Sequence, residues 1–570
     1  MSGTRKPRQF GAAWLGLLAL ASSTGAAHAA EPQNTARFSH FAYEGHWPVY
    51  RGRKAGPGQY LNPILEGFYP DPSITRVGED YYLVNSSFTY FPALPIFHSR
   101  DLVSWTQIGS AVDRPTQLDF KRLGVSRGVF APDIGFHDGT WYLVNTCVDC
   151  GENFLLTAKS PAGPWSDPIW LGFDGIDPSL FFDVDGRAWM VNNGPPEGTP
   201  LYDGHRAIWL QQFDPKTKRL IGPRTVLVNG GTDIATHPRW IEGPHLLRHD
   251  GMYYLIAAEG GTQDQHSEVA FRSARIEGPY VPAPRPILTQ RDLDPKRPDP
   301  ITSAGHADFV TTPNGDWWAS FLATRPYTDG LYNTGRETFL APVRWKDGWP
   351  EITAPGEDVK YVAERPKLAA DSTPKIPTQG DFAVRDDFVS TKLAPYWEML
   401  RTPRQTWWRL GSESLSLQAR SEPLGGIGQP SFLARRQQHA FATASVMVHY
   451  APERPGDRAG LAAFQNESHY ELIAVAKNAD GRAVVRVERR ADPKDPLDGV
   501  VVASEPLDRP GEPVRLRIEA RGDRYDFAYA QAGGPWRTLV KDADGAIFST
   551  KVADGFVGTM LGMYAYAAPN

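Results

Sequence analysis

One hairpin signature recurs five times along the first 350 residues, and it restricts the fold more than any other feature of the chain. Each copy puts a short turn in front of an aromatic strand: Gly78, Glu79, Asp80 before Tyr81 and Tyr82; Asp138, Gly139 before Trp141 and Tyr142; Asp185, Gly186 before Trp189; Asp250, Gly251 before Tyr253 and Tyr254; Asn314, Gly315 before Trp317 and Trp318. Asp-Gly and Asn-Gly turns between apolar runs close antiparallel hairpins. The copies recur at intervals of roughly 45 to 65 residues, the length of a four-stranded propeller blade with insertions. Five copies predict five blades.

The first strand of each hairpin opens at Asp71, Asp133, Asp177, Glu242 or His306. Innermost strands of a propeller line one axial channel, so these five positions are expected to meet at one mouth. A returning strand ends beside the start of its partner, which makes the segments after the aromatic strands the rim of that mouth. They are residues 86–92, with Phe88, Tyr90 and Phe91; residues 147–152; Asn192 and Asn193; residues 259–261; and residues 324–327. Aromatic rings beside amides and an arginine suit a sugar, whose faces stack on rings and whose hydroxyls need fixed partners.

Water attack on an acetal needs a base to take the proton of the water and an acid to protonate the leaving oxygen. Two carboxylates can divide these roles when their surroundings separate their proton affinities. Asp71, in the stretch Tyr69, Pro70, Asp71, Pro72, Ser73, is the candidate base. Glu242 is the candidate acid, because its apolar neighbours would raise its pKa. Asp177, followed by Pro178, is placed to orient that acid and hold its proton affinity.

With 570 residues the chain is too long for one ordinary core. Its 54 glycines, 50 prolines and 12% aromatics favour many short strands and turns. A net charge of −5 argues against nucleic acid as a partner. Residues 1–30 read as an export leader: Arg5, Lys6 and Arg8, an apolar run from Phe10 to Ala21, then Ala27, His28 and Ala29. The run is too short to span a membrane, and no other stretch looks membrane-spanning. The expectation is an exported protein, periplasmic or extracellular. Residues 31–60 form a lead segment with little pattern that would wrap the first domain. The propeller is expected over residues 61–352 and a proline-rich linker over residues 353–380. Alternating stretches at residues 415–417, 444–448, 470–475, 484–487 and 514–518 then predict a β-sandwich over residues 381–570. The fold class is therefore all-β. The two cysteines, Cys147 and Cys150, lack the further ligands of a metal site and the βαβ context of a redox motif, and an exported chain favours a local disulfide.

The stretches at residues 67–73, 177–182, 242–246, 259–262, 305–307 and 335–338 together resemble glycoside hydrolase family 43, especially its two-domain, exo-acting β-xylosidases and α-L-arabinofuranosidases. That resemblance implies a five-bladed propeller, an inverting mechanism, and the same roles for Asp71, Asp177 and Glu242. It also implies that Arg336 contacts the terminal sugar and that His306 is an axial histidine, which holds calcium in some members. Its second domain would be a concanavalin-like sandwich whose loop, here carrying Phe556, closes the mouth. Phe130 stands where many xylosidases of the family have tryptophan, and the stretches around His205 and Thr236 look closer to arabinofuranosidases, so both pentoses stay open. The expected substrate is a xylo- or arabino-oligosaccharide, with no cofactor required beyond possible calcium at His306. Phe88, Phe91, Phe130 and Phe556 complete the expected sugar contacts. The competing functions are a non-catalytic carbohydrate-binding propeller, which needs no paired carboxylates, and an endo-arabinanase, which usually lacks the large second domain.

Overall fold

The computed structural model describes Gly3, residues 34–531 and residues 533–569. The leader expected over residues 1–30 lies, Gly3 apart, outside them. Among the described residues there are 40 strands against a single four-residue α-helix, so the architecture is all-β.

The five hairpin signatures become the two inner strands of five blades. They are Ser73–Val77 with Asp80–Val84, Asp133–His137 with Thr140–Val148, Ile176–Phe182 with Ala188–Gly194, Glu242–His249 with Met252–Glu259, and Thr302–Thr311 with Trp317–Thr324. Each pair gains outer strands, making four-stranded sheets in the first, third and fifth blades and five-stranded sheets in the second and fourth. The fourth-blade turn shows why the dipeptide matters. Asp250 and Gly251 both take left-handed backbone, φ +46° and +80°, as a tight hairpin turn that follows the strand twist requires. Apolar faces of neighbouring blades then pack together: Val191, Ile208 and Leu210 of the third blade meet Leu255, Ala257 and Phe271 of the fourth in one buried cluster.

The C-terminal region is a sandwich of two eight-stranded sheets. All five alternating stretches lie within its strands, and Phe441–His449 buries every second residue, with Ala444, Val446 and Val448 at 0% exposure. Opposing them are Leu461, Ile473 and Leu561 of the other sheet.

The lead segment departs from expectation. Thr35–His46 does not wrap the propeller: it is a central strand of the sandwich, paired with Phe441–His449 on one side and with Phe382–Asp386 and Ser414–Gln418 on the other. Its alternation Ala36, Phe38, Phe41, Tyr43 buries four side chains in the sandwich core. The proline-rich stretch after the fifth blade also pairs, Val362–Glu364 with Gln59–Leu61. Two features join sandwich to propeller. Tyr90 and Phe91 of the first blade add an edge strand to one sandwich sheet, opposite Leu400 and Met399. Beneath the junction, Arg325 is fully buried between Glu337 (2.6 Å) and Glu66 (3.4 Å), under the ring of Trp47.

Candidate active site

The inner strands of blades three, four and five are bulged at their axial ends, with the register slipping between Ile176 and Ser179, Glu242 and His245, and Thr302 and Asp308. A bulge turns a side chain out of the regular alternation. Asp71, Asp177 and His306 take left-handed backbone, φ +53°, +53° and +55°, a conformation that costs free energy outside glycine and collects at functional sites. The strained positions aim three polar side chains at the mouth of the channel. Gly243, φ +55°, lets the chain pass beneath the ring of His306: a Cβ there would lie 2.6 Å from Nε2.

The pocket at this mouth has a volume of about 280 Å³ and is lined by Asp71, Asp177, Glu242, His306 and Arg336 together with Phe88, Phe130 and Phe556. Larger surface hollows exist, one of about 730 Å³ between the 290–300 loop and Tyr327, but none brings buried carboxylates together. Phe88, Phe130 and Phe556 form a triangle of rings with centroids 5.5 to 5.8 Å apart. Phe556 arrives from the sandwich, where its backbone N–H donates to Ser126 Oγ at 2.9 Å. Phe91 is absent from the lining, contrary to expectation, because its strand pairing with Met399 turns it into the core beside Val129 and Ala93. Tyr90 shares that strand and is buried as well.

Opposite charge is distributed unevenly among the acids. Asp71 accepts from Arg336 Nη1 at 2.8 Å and from Ser86 Oγ at 2.5 Å. Burial pushes its pKa up, but Arg336, His306 and the Ser86 hydrogen bond outweigh burial and hold it below the ordinary carboxylate value. Glu242 has no such partner. Burial, reinforced by the negative charge of Asp177, pushes it up to about 8. Asp177 accepts from the backbone N–H of Gly243 at 3.1 Å and stands 3.8 Å from His306 Nε2. Burial alone would strip His306 of its proton, yet Asp177, Asp71 and Glu242 hold that proton to about 9. Arg336 does not pair with the adjacent Glu337, which is engaged by Arg325.

Asp133 does not reach the mouth. It lies deeper on the axis with Ser73, His245 and Asp308, and burial together with Asp308, opposed by His245, leaves its pKa at about 6. Asp133, His245 and Asp308 are the one group among the described residues whose donor atoms could converge on an ion. All four carboxylate oxygens there already accept hydrogen bonds, from Ser73, Ile74, Leu180 or Phe309. His306, the expected calcium ligand, is outside that group, and its Nε2 faces the Asp177 carboxylate at 3.8 Å. The residues do not fit calcium at His306. The cysteines form the local disulfide, Cys147 to Cys150, in the second blade.

Asn193, expected on the rim, does line the pocket, and Arg127, Ala131, Ile176, Arg206, Trp240 and Thr262, which sequence reasoning did not assign to the site, complete the lining. Trp240 carried a signal: an indole two residues before the acid, on left-handed backbone at φ +45°, packed over Gly261.

A propeller whose axial mouth gathers three carboxyls, one of them held by an arginine, beside an aromatic wall completed by Phe556, defines a carbohydrate-cleaving enzyme. Residues 60–350 match glycosyl hydrolases family 43, and residues 385–570 match the β-xylosidase C-terminal concanavalin A-like domain. The chain belongs to glycosyl hydrolases family 43 and is an exo-acting glycosidase. It is 36% identical over 517 residues to a xylosidase/arabinosidase of Butyrivibrio fibrisolvens, covering 88% of this chain and 95% of that one. Over 517 residues it is also 36% identical to a non-reducing end α-L-arabinofuranosidase of Bacteroides ovatus, covering 89% and 91%. The crystal structure of a family 43 subfamily 12 protein from a capybara gut metagenome superposes with a TM-score of 0.87 at 39% identity, over 94% of this chain and all of that one.

Proposed function

We propose that this glycosidase releases terminal pentoses, D-xylose from β-xylosides and L-arabinose from α-L-arabinofuranosides, with inversion at the anomeric carbon. The observation that carries the reading is the opposed proton bias of Asp71 and Glu242 inside one pocket. Asp71, ionised, takes a proton from a water whose oxygen bonds to the anomeric carbon. As the bond from that carbon to the leaving oxygen breaks, Glu242 gives its proton to the leaving oxygen. Asp177 raises the proton affinity of Glu242 and, through Gly243 N–H, holds its backbone. Arg336 keeps Asp71 ionised and offers its remaining N–H groups to the sugar; its Nε has no protein partner. The Phe88, Phe130 and Phe556 rings are the stacking wall.

Both pentoses appear in the names of the relatives, and a pocket walled on one side by Phe556 favours chain ends over chain interiors. Residues 1–30 support export, which cell fractionation with N-terminal sequencing tests: protein confined to the cytoplasm and starting at Met1 would exclude it.

The experiment is hydrolysis of nitrophenyl β-D-xylopyranoside, nitrophenyl α-L-arabinofuranoside and the matching oligosaccharides. Early NMR spectra identify the anomer released, and a parallel reaction follows dialysis against EDTA. Release of the inverted sugar, unchanged by EDTA, is expected. Substrates left intact would point instead to a carbohydrate-binding propeller. A retained anomer would overturn the assignment of Asp71 as base, and loss of rate with EDTA would restore a metal to the site.

A further inference from the structure

One strand step below the mouth, each blade contributes a polar side chain in the same register. Ser73, Asp133, Ser179, His245 and Asp308 lie opposite Val84, Val144, Val191, Ile256 and Ser320 of their returning strands. All five are at least nine-tenths buried, between 0% and 9% exposed. On a strand, side chains two apart share a face. Thus Ser73 follows Asp71 and Asp308 follows His306 by two positions, whereas the bulged fourth blade needs three positions from Glu242 to His245.

Hydrogen bonds join the first blade to the second and fifth, the second to the third and the third to the fourth, and His245 completes the ring by lying beside two carboxylates. Ser73 Oγ lies 3.1 Å from Asp133 Oδ1 and 2.9 Å from Asp308 Oδ2, and receives the N–H of Ile134 at 3.1 Å. Asp308 also accepts from Ile74 N–H at 2.8 Å, and Asp133 from Leu180 N–H at 2.9 Å. Ser179 donates to the carbonyl of Pro244 at 2.6 Å, and His245 Nδ1 stands 3.6 and 3.5 Å from the two carboxylates. Every blade is thereby tied to another within a few residues of its contribution to the mouth.

We propose that this buried ring positions the reacting pair: Asp308 and Ser73 set the strand that carries Asp71, while Asp133, through Leu180 and Asp177, sets the approach of Glu242. Asp133 touches neither the pocket nor Glu242. Its path runs from Leu180 N–H, three residues past Asp177, to the Asp177 carboxylate that holds Gly243 N–H. An inverting reaction needs its two carboxyls held roughly 6.5 to 9.5 Å apart across the sugar. Misplacement by about 1 Å can cost a hundredfold in rate. This inference rests on the assignment of Asp71 and Glu242 above.

Asp133→Asn keeps the shape but replaces one accepting oxygen with an amide that repels Leu180 N–H or competes with Ser73. Its kcat is compared across glycosides with poor and with activated leaving groups, alongside its melting temperature. Poor leaving groups depend on proton delivery, so their kcat is expected to fall about a hundredfold, while the dinitrophenyl glycoside loses far less and KM stays close to wild type. Equal fractional loss for every leaving group, or none, would overturn the proposal, since a merely less stable fold removes active molecules without regard to the leaving group. Should Asp133→Asn fail to fold, Ser73→Ala, which removes the bridging hydroxyl and leaves both carboxylates, is expected to lower kcat with KM near wild type and a lowered melting temperature, because Ile134 N–H loses its acceptor, and unchanged kcat would overturn the proposal. An inactive wild type would instead defeat the functional assignment.

Discussion

Arg336→Gln tests the electrostatics of the base. Nη1 of Arg336 lies 2.8 Å from Asp71 Oδ1, and the two side chains are 7% and 6% exposed, so solvent screens the pair little. An opposite charge at such range lowers a carboxyl pKa by about 1–3, equivalent to about 1.4–4 kcal/mol at 1.36 kcal/mol for each pH unit. Burial acts on Asp71 in the opposite direction. Without the guanidinium, burial is opposed by His306, Ser86 and His266, and the pKa rises. The base works only when ionised. The acidic limb of kcat/KM, which reports the free enzyme, is therefore expected to move about 1–3 pH units upward.

The stability sign agrees. A carboxyl whose folded pKa is depressed contributes stability above its unfolded pKa and loses it as pH falls through the folded value. The variant should accordingly be less stable at neutral pH, by about 3–5 kcal/mol for one partner removed from a buried pair, and should differ least from wild type in acid. Profiles of kcat/KM against pH, with melting temperatures at each pH, decide the matter. An acidic limb that overlays wild type, with only KM raised, would mean that Arg336 binds sugar without tuning the base.

Glu242→Gln should lower kcat on oligosaccharides by about 10²–10⁴. It should also erase the alkaline limb, because in the wild type the proton is present below about 8 and lost as pH rises through that value; a surviving limb would assign it to another group such as His306. Phe556→Ala removes a ring in contact with both Phe88 and Phe130. At about 0.5–1.5 kcal/mol for each aromatic contact, KM for an oligosaccharide should rise several-fold with kcat less affected, and a lowered melting temperature with unchanged KM would show that the ring only packs.

The meeting of Asp71, Asp177 and Glu242 at one mouth was legible because a repeated hairpin places equivalent residues at one end of every blade. Asp133 was misplaced by the same logic, though the count held a warning. It precedes its aromatic, Trp141, by 8 residues, whereas Asp71 precedes Tyr81 by 10 and Glu242 precedes Tyr253 by 11. Fewer residues to the turn put it one strand step down. Bulges hide this distinction, since an extra residue changes the count without changing the level. Phe91 looked like Phe88 because nothing local reveals that a strand some 300 residues later will claim it. Arg127, Arg206 and Thr262 were unreadable for a related reason: they lie outside the inner strands, where no period fixes direction. Thr35–His46 does alternate, but its partners start near residue 382, beyond the reach of local pattern.

That strand has a consequence for how the chain is put together. Because Thr35–His46 sits inside a sheet whose other members all follow the fifth blade, the propeller is an insertion carried within the sandwich. A ribosome delivers this strand first and its partners last, so it must wait, unpaired, while all five blades emerge. A fragment cut at the linker would release a sandwich with a slot through one sheet, and a propeller trailing the strand that fills it. Supplied separately as a peptide, that strand would be the natural ligand of the gap.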